Sequence, residues 1–247
     1  MKKIIKISVV ILLIGIMLIS SYFIYKNMQE DKEQEEIFEE LENIVTTNET
    51  NEEKEQKEDN VNLNKLYKIN NDIVGWLKIE NTNINYPVMQ TKDRPDYYLR
   101  KNFYKEYSVF GTPYIDENCD IENGNNLIIY GHHINGNKMF GELENYKNEE
   151  YYNKHKFIKF YTLNEKAEYE IISVFKTTVY NDKGFKYYQY YNLEDEREFE
   201  TFINKCKELS LYDTQKIAKY GDKLLTLSTC EYSQNNGRLV VVARKII

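Results

Sequence analysis

A mostly antiparallel β-barrel or sandwich with a few added helices is the fold class this sequence predicts, on three observations. Short runs rich in β-branched and aromatic residues recur from about position 72 to the end, each of strand length and each bounded by Asn, Asp or Gly. Strong helical periodicity occurs in one place only, LEDEREFETFINKCKELS, where Phe199, Phe202, Ile203, Cys206 and Leu209 recur at helical spacing with charges between them. Strands and helices do not alternate regularly, which argues against a doubly wound parallel sheet.

Taken in chain order, the first element is a Lys-rich start followed by a 19-residue run from Ile7 to Tyr25 without a charge, close to the roughly 20 residues that cross a bilayer. A cleaved secretory signal shares the basic start. The run is longer than such a signal's apolar region, and no A-x-A-like site follows it. Residues 1–26 are therefore predicted to be a single-pass signal anchor. The acidic stretch after Lys26 leaves the N-terminus as the cytoplasmic end and puts the rest of the chain outside the cell. Residues 27–60 hold fourteen acids against three lysines. They read as a self-repelling acidic extracellular spacer, although Ile37, Phe38, Leu41 and Ile44 fall at helical spacing.

Residues 61–247 carry no net formal charge, so the acidic balance of the chain belongs to the spacer. No basic footprint for nucleic acid is present. With 41% hydrophobic residues the chain can build a core in this region, which is predicted to form one domain. LNKLYKIN reads as a short helix running into the strand DIVGWLKI. Extended segments follow at 83–89, 111–116, 126–133, 156–163, 167–180, 223–230 and 238–247, with the periodic helix before the last two.

Three cysteines are too few and of the wrong parity for a disulfide scaffold. Cys230 ends the apolar run LLTLSTC before a polar turn, where a strand would hold a thiol at the mouth of a barrel. An ordinary small buried residue is the alternative. Cys206 lies in the helix stripe and fits that alternative better. Cys119 sits in an acidic loop that would raise its pKa. His132 and His133 end the segment NLIIYGHH, and alternation along an extended chain sends their rings to opposite faces, so one at most faces a site shared with Cys230. The other is expected to face solvent or pack beside the groove. His155, in NKHK, reads as a surface residue. Arg238 opens the last strand across a turn from Cys230, where a guanidinium stands near a thiolate or an oxyanion. Taken singly, surface roles remain open for His132 and Arg238.

Together, TLSTC (226–230), YGHH (130–133) and the Arg of GRLVVVA (237–243) resemble the sortases, the membrane-anchored cysteine transpeptidases of Gram-positive bacteria. DIVGWLKIENTNINYPVMQTKD (72–93), the helix 194–210 and the pair Cys230–Glu231 are similar to the class B members. The resemblance implies an eight-stranded sortase-type barrel with an N-terminal helical extension and a helix before the penultimate strand. It implies Cys230 as nucleophile, His132 as general acid and base, and Arg238 as the cation for substrate and oxyanion. It further implies Leu99, Tyr130, Ser228 and Glu231 at the substrate groove, with one wall formed by the loop that carries the helix. The implied partners are secreted proteins bearing a C-terminal sorting signal, NPxTN-like or ending in TG, and a peptidoglycan precursor amine. No metal or organic cofactor is implied. Two other readings are a membrane-tethered binding module with an inert Cys230 and a papain-like Cys-His cell-wall peptidase. In the latter Cys precedes His, the reverse of the order here.

Overall fold

The computed structural model of the chain describes residues 2–46, 62–180 and 183–247. Its elements are α1 (Lys2–Thr46), α2 (Asn64–Ile69), β1 (Ile73–Lys78), β2 (Asn85–Met89), β3 (Tyr114–Ile115), β4 (Asn126–Tyr130), β5 (His133–Ile134), β6 (Lys138–Met139), α3 (Glu149–Lys154), β7 (Phe157–Thr162), β8 (Lys166–Thr178), α4 (Glu196–Leu209), β9 (Leu224–Glu231) and β10 (Gly237–Lys245). Eight strands close a barrel in the order β1-β2-β3-β4-β9-β10-β8-β7. Neighbours are antiparallel except β2 beside β3 and β4 beside β9. The barrel is thus mixed, as long connections carry the chain across its end instead of turning it back in hairpins.

Both faces of the β8–β10 region are covered, which is why β10 reads LVVVA without alternation: Leu239, Val240, Val241, Val242 and Ala243 are all buried. On one side lies α4. Asp195 caps it by accepting from the Glu198 amide, and Phe199, Phe202, Ile203 and Cys206 are the buried stripe that the periodicity predicts. Ser173 Oγ on β8 donates to the Cys206 carbonyl at 2.7 Å and fastens the helix to the sheet. The small hairpin β5–β6, the 3₁₀ segment Phe140–Lys147 and α3 were not legible in the sequence. Their polar composition hides three plugs, Phe140, Leu143 and Tyr146, all fully buried.

The spacer reading of residues 27–60 does not hold for the described part of it. Positions 47–60 lie outside the described residues, but α1 runs on to Thr46 and its last turns pack against the barrel. Leu41 and Val45 are buried with Leu63, Leu66, Ile73, Trp76, Tyr98 and Phe103 in a second core, flanked by Ile37, Phe38 and Ile44. Gln34 accepts from Ser108 Oγ at 2.8 Å, and Lys138 pairs with Asp31 and Glu35 at 3.3 and 2.8 Å. One apolar stripe suffices here because the barrel supplies the other wall, while most of the acids stay on the solvent face.

Burying Leu41 and Val45 contributes on the order of 1.5–3 kcal/mol each as an upper estimate. A soluble protein beginning at residue 61 should therefore be less stable than one beginning at residue 29 by about 2–4 kcal/mol. Urea midpoints of the two proteins measure this, and coincident midpoints would restore the spacer reading.

Candidate active site

The β9–β10 pair is the frame of the site. Cys230 stands directly opposite Arg238 in the antiparallel register, so their side chains share a face with Cβ atoms roughly 4.5–5.5 Å apart. The connecting turn is tight: Asn236 is left-handed, with φ of 56°. A Cβ on Gly237 would lie 2.3 Å from the Glu231 carbonyl oxygen, so no other residue fits there without moving the turn. Cys230 is half-buried, and Arg238 Nη1 donates to the Gly237 carbonyl at 2.9 Å.

Ser228, two residues before Cys230, shares its face. It is buried, and its hydroxyl pairs with Tyr187 Oη at 2.5 Å. Burial pushes the Tyr187 phenol up to about 12, the Ser228 bond and the Arg238 charge pull it down, and Cys230 pushes it up. Tyr187 is therefore a wall of the site contributed by the β8–β9 connection. Nothing in its Tyr-rich surroundings set it apart in the sequence. Tyr232, exposed in the turn, lies within electrostatic reach of both Cys230 and Arg238 and was missed for the same reason.

The histidines follow the end of β4. The Gly131 amide donates to the Ser228 carbonyl at 3.1 Å and Thr229 Oγ1 to the Gly131 carbonyl at 2.8 Å, which lays residues 131–133 beside the end of β9. A Cβ on Gly131 would sit 2.5 Å from the Phe140 ring, so this glycine makes room for a core plug and not for a substrate backbone. His132 Nε2 lies 2.7 Å from the Leu99 carbonyl oxygen. An oxygen that only accepts requires the proton on Nε2, which leaves the lone pair of the neutral ring at Nδ1. Burial, and secondarily the Arg100 charge, hold His132 below the ordinary imidazole range against the raising effect of the Leu99 bond. His133 is half-buried and does not face open solvent, with Nδ1 3.0 Å from the Cys230 carbonyl oxygen.

Leu99 belongs to a pinned turn. Tyr98 beside it donates to Asp72 and accepts from Asn70, both at 2.8 Å, so the carbonyl that holds His132 is itself held. The Leu99 side chain is exposed. Tyr130 pairs in register with Ser228 and donates to Asp116 Oδ2 at 2.9 Å. Glu231 departs from expectation. It follows Cys230, so alternation turns it to the other face, where it is buried and bound by Lys147 at 2.6 Å and by Ser233 at 2.7 Å. Burial alone would raise its carboxyl, but these bonds and the lysine charges outweigh it and hold the group below the usual carboxylate range. Glu231 braces the strand end and does not line the groove beside Cys230.

The other two cysteines are buried. Burial pushes the Cys119 thiol up to about 12, with Asp116 and Glu117 adding to it, so the acidic loop is the lesser cause. Cys206 is raised by burial alone. His155 packs its ring on Tyr151 at 4.1 Å and is half-buried, not a free surface residue. Among the described residues no group of His, Cys, Asp and Glu has the arrangement of a metal site.

The site thus sets a strand-end thiol opposite a guanidinium, with His132 just past the end of the adjoining strand β4. A family model described as the sortase domain matches residues 77–246. The chain belongs to the sortase family. It is 35% identical to a sortase B of Staphylococcus aureus over 239 residues, 96% of this chain and 94% of the relative. A solved Staphylococcus aureus sortase B–substrate complex superimposes with a TM-score of 0.74 at 32% identity, covering 90% of this chain and 98% of that one. A sortase B complexed with triglycine gives 0.73 at 31% identity, with coverages of 89% and 98%. This sortase accordingly stands with the sortase B transpeptidases, which are cysteine enzymes, and its eight-stranded barrel is the sortase fold.

The lowered His132 carries a sign that can be checked. Because the folded state binds that proton more weakly, the unfolded chain holds more protons near and below the ordinary histidine pKa of about 6.5, and stability falls as pH drops through that range. The parent should lose more of its urea midpoint between pH 7.5 and 5.5 than His132→Gln does. Equal losses would contradict the burial assigned to the ring.

Proposed function

We propose that the protein cleaves a C-terminal sorting signal, NPxTN-like or xPxTG-like, after its Thr through a thioacyl-enzyme on Cys230, and transfers the product to a cell-wall amine. The observation that carries the reading is the register pair Cys230–Arg238, which presents a half-buried thiol and an always-charged fork of donors on one face. The substrate and triglycine complexes of the related sortase B enzymes support a signal-bearing protein and an amine as the two partners.

Residue types then order the chemistry. As Cys230 Sγ attacks the Thr carbonyl, the thiol proton passes to His132, whose neutral ring bears its lone pair on Nδ1 while Nε2–H stays on Leu99. The tetrahedral oxyanion collects beside Arg238. Collapse expels the amine, which takes the proton from the His132 imidazolium and leaves the thioester. An incoming amine attacks this thioester and gives a proton to His132, the Cys230 thiolate leaves and takes that proton from His132, and the joined product is released. No step calls for a metal or an organic cofactor.

The apolar first half of α1 fits a membrane anchor, with the barrel on the extracellular face. The helix is continuous into its docked segment. About 9 Å of helical rise separates Tyr25 from Asp31, where contacts with the barrel begin. On this reading the acidic stretch holds the site close to the bilayer, where membrane-bound substrates emerge.

Cleavage of fluorogenic sorting peptides, with and without an added amine, tests the proposal. Cys230→Ala should abolish cleavage, while Cys119→Ala retains it. Arg238→Lys should lose on the order of 10²–10³ in rate, because a point ammonium cannot replace the fork. Cleavage by Cys230→Ala above background, or an Arg238→Lys rate within a factor of two of the parent, would refute the assignments.

A further inference from the structure

β4 runs parallel to β9 and stops at Tyr130. Donors on one strand face the same neighbour at every second residue, so the Gly131 amide, which donates to the Ser228 carbonyl, should be followed by the His133 amide donating to the Cys230 carbonyl. That rung is replaced. The chain leaves the sheet after Gly131, and His133 pairs instead with Met139 in the β5–β6 hairpin. The Cys230 carbonyl is met by the His133 side chain, with Nδ1 at 3.0 Å. We infer that His133 is a positioning residue for the nucleophile, its Nδ1–H standing in for the missing backbone donor and holding the peptide that carries Cys230.

The surroundings support that role. Glu144 Oε1 is buried, has no hydrogen-bond partner among the described residues, and lies 3.9 Å from His133 Nδ1. A carboxylate oxygen there favours the form of the ring with a proton on Nδ1, the form the Cys230 carbonyl requires. Lys147 bonds both Glu144 and Glu231. His133 therefore holds the Cys230 carbonyl while Lys147 holds the side chain of the next residue, Glu231, with Glu144 beside both. The Tyr232 ring closes over His133 with centroids 4.9 Å apart. Leaving the sheet at Gly131 lets His132 turn to Leu99, and His133 replaces the rung that this departure removes.

This inference rests on the proposed thiol chemistry at Cys230, and its test separates the two. In the full-length protein, kcat and KM for a sorting peptide and the rate of Cys230 modification by a charged thiol reagent are measured for His133→Ala, His133→Asn and His133→Gln. Asn carries an amide N–H at the same distance along the side chain as Nδ1, and Gln places it one methylene farther. Loss of the bond leaves a carbonyl unpaired and a strand end loose, so His133→Ala should lose about tenfold or more in kcat with KM within about twofold, and its modification should slow in parallel. His133→Asn should restore most of both rates, and His133→Gln should not. A His133→Ala protein within twofold of the parent overturns the inference, as does equal behaviour of the Asn and Gln variants. If His133→Ala fails to fold, the contrast between Asn and Gln decides. If the parent cleaves no sorting peptide, the proposed function falls while the modification rates still judge His133.

Discussion

The antiparallel pairing of β9 with β10 is the constraint on which the site depends. It sets a thiol and a guanidinium opposite each other without asking either side chain to find its partner, and the turn that makes it possible tolerates only glycine at position 237. On the far side β9 is paired with β4 in parallel, so the strand that carries Cys230 is held from both edges and delivers Ser228 and Cys230 to one face. The two histidines come from the place where the second of these pairings stops. Where β4 ends, backbone ladder gives way to side-chain bonds, and both histidines are employed there, His132 on the Leu99 carbonyl and His133 on that of Cys230.

The barrel was legible because its strands are β-branched and bounded by turn residues, and α4 because its apolar stripe is strictly periodic. Cys230, His132 and Arg238 stood out by residue type at strand ends and by their resemblance to a family pattern. Tyr187 and Lys147 did not, because their roles arise from contacts across 41 and 84 positions of sequence. Glu231 was misplaced because adjacency to Cys230 in the chain means opposition to it across a strand. The packing of Gly131 was not legible either, since the Phe140 ring it accommodates lies in a 3₁₀ segment that the sequence does not announce.

The acidic stretch after the apolar helix shows how charge counting can conceal packing. Averaged over its length it is a polyanion. Resolved by face, residues 34–45 carry a narrow apolar stripe that completes a core built by Trp76, Tyr98 and Phe103. The same contacts reach the site indirectly: Tyr98 shares that core and flanks Leu99, whose carbonyl holds His132. The helix from about Asp31 to Thr46 is thus part of the folded unit and not a free tether.

Every step of the proposed chemistry depends on Cys230 itself becoming acylated. Mass spectrometry of the protein quenched in acid during turnover of a sorting peptide tests this directly. The expected species is an adduct equal to the signal fragment ending in Thr, mapped to the peptide containing Cys230, labile to hydroxylamine and lost on addition of the acceptor amine. Product formation with no such adduct under conditions where it should accumulate, or an adduct mapped to another residue, would contradict it.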